Sequence, residues 1–100
     1  MQMYFYERAL FLIENYIFRL KRPRRYLKLD QFTHRSYTIW AAEELMVYVK
    51  KHDTIPPLDA VSAFMNLMDE LAVMDEATSY IFSIARDTAQ DIFDMLLTAL

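Results

Sequence analysis

The chain has 100 residues, a formal net charge of −3, and neither glycine nor cysteine. Its length fits one domain spanning 1–100, and an apolar fraction of 55% with 15% aromatics argues against disorder. Without glycine, phosphate-cradling loops and tight hairpins lose the residue they depend on; without cysteine there is no disulfide, thiolate nucleophile or zinc knuckle.

The charge is divided between the halves. Residues 1–52 hold ten of the eleven Lys and Arg against five acids, a balance of +5. Residues 53–100 hold Arg86 alone against nine acids, a balance of −8. Such asymmetry speaks about surfaces rather than fold. The opening Met1-Gln2-Met3-Tyr4 has no basic run, and Glu7, Arg8 and Glu14 break the apolar stretch that follows. Neither a signal peptide nor a membrane span is expected, and a cytoplasmic setting is.

The apolar periods are helical throughout, which predicts an all-α four-helix bundle with helices at about 3–20, 37–52, 58–73 and 77–97. In the first, Phe5, Ala9, Leu12, Ile13, Tyr16, Ile17 and Leu20 share a face, and Pro23 ends the run. An irregular basic connector is expected over 21–35. The second helix is expected to start at Tyr37 behind Ser36 as N-cap, with Tyr37, Ala41, Leu45, Tyr48 and Val49 inward and Lys50 and Lys51 in the last turn. The stiff Asp53–Pro57 link leads to the third, the cleanest amphipathic pattern: Val61, Phe64, Met65, Met68, Leu71 and Ala72 oppose Asp59, Ser62, Asn66, Asp69 and Glu70. The fourth, capped by Asp75 or Thr78, turns Ile81, Ile84, Ala85, Ala89, Ile92, Met95, Leu96 and Ala99 inward and Asp87, Asp91 and Asp94 outward, and is expected to pack centrally.

One apolar face per helix is enough for a core, yet two helices carry a second. Tyr4, Phe11 and Phe18 recur every seven residues, about 20° apart on a helical wheel, among Glu7, Arg8, Glu14 and Asn15. Trp40 and Val47 repeat the pattern among Glu43, Glu44, Lys50 and Lys51. A charge-rimmed seven-residue seam is what a helix presents to a partner helix, so these five residues are the candidate partner interface, most simply of a homodimer. The competing reading seals them inside against neighbouring helices.

Arg19, Lys21, Arg22, Arg24, Arg25 and Lys28 crowd into ten residues with Tyr26 among them. Three readings stand: a solvated loop, a dock for an acidic surface such as Asp87, Asp91 and Asp94, and a nucleic-acid contact in which cations meet phosphates and the ring stacks on a base.

No catalytic constellation is present. His34 and His52 have no ligand partner at metal spacing, and no Glu has a His three positions on, as the di-metal bundle motif requires. Asp69 with Glu70, and Asp87 with Asp91 and Asp94, fall on polar helix faces, where solvated charge is the expected role. No serine of the second half has a histidine base nearby. The expected function is thus a non-catalytic protein–protein interaction module, an adaptor, inhibitor or accessory regulator working by occlusion or scaffolding. It is expected to have no cofactor, no metal, no small-molecule substrate and no membrane partner, and its partners are expected to include a second copy of itself. An acidic chain of this kind would suit an inhibitor, such as one carried by a mobile element, that covers a basic site on a larger protein. The alternative is a nucleic-acid-associated regulator using 19–28.

Overall fold

A computed structural model describes residues 3–23 and 28–100. Among them the chain is an all-α four-helix bundle: α1 (Met3–Leu20), α2 (Leu29–Lys51), α3 (Pro57–Met74) and α4 (Ser79–Ala99), with no strand. The core is built from the expected stripes. Ile13, Leu45, Val49, Val61, Ile92 and Leu96 are its largest fully buried side chains, and small Ala9, Ala41, Ala42, Ala60, Ala85 and Ala89 let the helix axes approach closely. The principal extents are 42 × 35 × 21 Å, so the thin dimension is two helix diameters. α3 and α4 form the most intimate pair, and α4 touches every other helix. α1 packs chiefly on α2 and only lightly on α3 and α4, and about half of its circumference is left to solvent.

Three of the four helices begin and end within about two residues of expectation. α2 does not: it starts at Leu29, eight residues before Tyr37. Ser36 is therefore no N-cap. It lies inside the helix and its hydroxyl donates to the Phe32 carbonyl at 3.0 Å. His34 and Arg35 likewise belong to α2, not to the connector, which shrinks to 21–28. The real start is secured by side chains in the first turn. The Gln31 amide oxygen accepts the Lys28 N–H at 3.1 Å, half of a capping box, because the Lys28 ammonium has no acceptor with which to complete it. The Asp30 carboxylate accepts the Gln31 N–H at 2.9 Å and suits the positive end of the helix dipole.

Helix ends elsewhere are satisfied without glycine, and no described residue has a positive φ. At the end of α1 the guanidinium of Arg35 reaches across from α2, its Nε donating to the Leu20 carbonyl and its Nη2 to that of Arg22, each at 2.6 Å. Carbonyls left over by the last turn are thus capped by a cation from the next helix. At the end of α2 the His52 ring donates from Nδ1 to the Tyr48 carbonyl at 2.9 Å and stacks on the Tyr48 ring, which makes His52 a capping residue. Pro57 stands at the first position of α3, with the Asp59 and Ala60 amides donating to the Pro56 carbonyl. Thr78 holds the N-cap position of α4 but makes no side-chain cap bond, while Asp75 closes α3 and its carboxylate accepts the Ala77 N–H. Two residues expected inside are not: Phe5 is 39% exposed and Ala99, in the last turn, faces solvent.

Candidate functional site: two exposed apolar faces

All five candidate interface residues lie at the surface. Tyr4 is 66% exposed, Phe11 61%, Phe18 65%, Val47 61% and Trp40 38%. The α1 rings point almost opposite to Ala9 and Ile13, which are fully buried, so the line Tyr4–Phe11–Phe18 looks straight out from the bundle. At its start the Phe5 ring meets that of Tyr4 edge to face at 5.7 Å. One flank of the line carries Glu7 and Glu14, the other Arg8, Asn15 and Arg19. Among the described residues none of these charges enters an ion pair.

The α2 residues have a different setting. Trp40 and Val47 edge a groove of about 330 Å³ that also contains Phe64, Leu67, Met68 and Leu71 of α3 and Phe82 of α4, with Glu44 and Lys51 on its rim. Tyr48 closes its floor, edge to face with Phe64 at 5.5 Å. None of the α1 rings lines this groove. Leu67 and Phe82 are not foreseen by the helical wheels. Leu67 sits on the shoulder between the apolar and polar faces of α3, and the packing of α2 on α3 places it in the same groove as Val47.

The basic residues divide. Arg24 and Arg25, with Tyr26, lie outside the described residues. Lys21 pairs with Glu43 of α2 at 3.6 Å, both half exposed, a surface pair of little energetic weight. Arg19, Arg22 and Lys28 are exposed, and among the described residues no ion pair joins the connector to Asp87, Asp91 or Asp94. Arg86 bridges Asp69 at 3.4 Å and Asp87 at 3.8 Å, tying α4 to α3.

Hollows also lie at the two ends of the bundle. A cleft of about 500 Å³ is lined by Leu20, Asp30, Gln31, His34, Arg35, Thr38 and Tyr80. Several of its polar groups already have structural partners: Arg35 caps α1, Gln31 and Asp30 secure the start of α2, and the Thr38 hydroxyl donates to the His34 carbonyl at 2.9 Å. An apolar hollow of about 250 Å³ lies at the opposite end, between Phe5, Pro56, Pro57, Leu58, Leu97 and Leu100. Burial pushes the Tyr16 phenol above its ordinary value, and the Asp91 carboxylate adds to the shift. Tyr6 moves the same way, by desolvation first and Asp53 second. Among the described residues no group of three His, Asp or Glu is placed to hold a metal, and no helix is long and apolar enough to cross a membrane.

Compared with family models, curated proteins and solved structures, the chain matches none.

Proposed function

We propose that this four-helix chain is a non-catalytic protein–protein interaction module, a cytoplasmic adaptor, inhibitor or accessory regulator that occludes or scaffolds its partner and self-associates. The observation that carries the reading is the line of Tyr4, Phe11 and Phe18, each more than 60% exposed on a face that the core does not need. Large rings in water at helical spacing are the ordinary mark of a contact surface. The α2–α3 groove, apolar within and charged at its rim, adds a second place of the right shape for an amphipathic helix.

Light scattering tests the reading directly. The wild-type chain is expected to show a mass above 12.0 kDa that rises with concentration, and Phe11→Glu with Phe18→Glu is expected to return it to the monomer while circular dichroism stays helical. A wild type that remains monomeric at every concentration, with variants indistinguishable from it, removes self-association from the proposal.

Arg19, Arg22 and Lys28, exposed and with no ion pair among the described residues, favour one alternative, a nucleic-acid-associated regulator. A mobility shift with random-sequence DNA or RNA at low salt decides it: no shift removes this reading.

A further inference from the structure

The charges beside the aromatic line are sorted by sign, and the sorting specifies how two copies meet. Glu7 and Glu14 lie on one side of Tyr4–Phe11–Phe18; Arg8 and Arg19 lie on the other with Asn15 between them. None can pair within its own helix, because same-helix partners must be three or four residues apart. Glu7 and Arg8 are adjacent, and Glu14 and Arg19 are five apart. Among the described residues none finds an ion-pair partner on another helix either.

We infer that a second copy of this chain covers the face, with the two α1 helices side by side and parallel about a two-fold axis running along them; this rests on the self-association proposed above. In a parallel pair the acidic flank of each helix meets the basic flank of the other. Glu14, four residues before Phe18, then lies beside Arg19 of the second copy, one residue after it. That five-residue offset is the one at which parallel two-stranded coils form their interhelical ion pairs. Asn15 meets Asn15 and Arg8 meets Arg8 beside the rings, the first a polar contact that fixes register and the second the single like-charge approach of this arrangement. The antiparallel alternative, with Tyr4 against Phe18, turns the acidic flanks toward each other and sets Glu7 against Glu14 twice. Charge complementarity therefore selects the orientation.

Area sets the strength. An aromatic side chain presents 150–250 Å² in full, so rings exposed to this degree offer about 100–150 Å² each and roughly 700 Å² across the pair. That is below the 1,200 Å² at which stable interfaces begin and in the class of weak, transient contacts, so the dimer is a reversible one whose population rises with concentration.

Cysteine cross-linking reads the orientation, since the chain has no cysteine of its own. Arg8→Cys and Asn15→Cys, which leave the rings in place, are each expected to form a disulfide with their own kind on mild oxidation. A mixture of the two, one carrying a size tag, is expected to give few mixed dimers. A predominance of mixed links, from position 8 of one copy to position 15 of the other, would overturn the parallel arrangement while leaving self-association intact. No link together with a monomeric mass would overturn both. Glu14→Arg gives an independent reading. It is expected to weaken the dimer about tenfold, with Arg19→Glu in the same chain restoring it, whereas an antiparallel dimer would tighten. An unchanged or tighter equilibrium for Glu14→Arg overturns the orientation.

Discussion

The outer faces of α1 and α4 each carry a line of exposed residues, and the two are opposite in chemistry. On α4, Asp87, Asp91 and Asp94 are exposed at spacings of four and three, as solvent-facing residues should be. On α1, Tyr4, Phe11 and Phe18 are exposed at spacings of seven and are rings. Both helices bury an inner stripe, Ala9 and Ile13 on α1 and Ile84, Ala85, Ala89, Ile92 and Leu96 on α4. The aspartates are explained once the face is known to meet water. The rings are not, and the difference isolates the part of the sequence that folding does not account for.

The largest effect expected from breaking this comparison lies inside α1. Ile13→Ala removes a fully buried side chain and is expected to cost about 2–5 kcal/mol in urea melts. Phe11→Ser, two residues earlier and larger in volume, is expected to leave monomer stability within about 0.5 kcal/mol while reducing self-association. Equal losses would mean that the outer ring is structural. Next comes the joint between α1 and α2. Arg35→Met removes both guanidinium bonds to the Leu20 and Arg22 carbonyls and is expected to cost about 1–3 kcal/mol. Fraying should be confined to the last turn of α1, where amide exchange would report it. The smallest effect separates α1 from α4 by titration. The Tyr16 pKa is raised, so its contribution to stability is complete below the ordinary tyrosine value near 10 and is lost as pH rises through the folded-state value. Tyr16→Phe should flatten that alkaline loss, and Asp91→Asn should bring the phenolate absorbance of Tyr16 on earlier.

Much of this was legible in the residues. α3 could be read because its two faces are cleanly separated, and the rings of α1 could be singled out because a seven-residue repeat stands apart from the main stripe. The start of α2 was hidden because Asp30–Ser36 is rich in residues that form helix poorly, among them Thr33, His34 and Ser36. Its stability comes from Arg35 reaching α1 and from Gln31 and Asp30 at the first turn, of which only the last two leave a local trace. The groove was half legible. Trp40 and Val47 showed as a stripe on one helix, but Leu67 and Phe82 join it only through the way α2, α3 and α4 cross, and no single-helix wheel contains that information.

A backbone with no left-handed residue among those described makes the chain unusually easy to interrogate. Nowhere in that stretch does a Cβ have to be absent for the main chain to take its path. Outside the prolines, a scan that replaces residues one at a time therefore perturbs side-chain contacts and intrinsic helix preference without imposing strain on the trace itself. Losses of association can then be assigned to the groups removed, face by face, with little correction for a distorted scaffold.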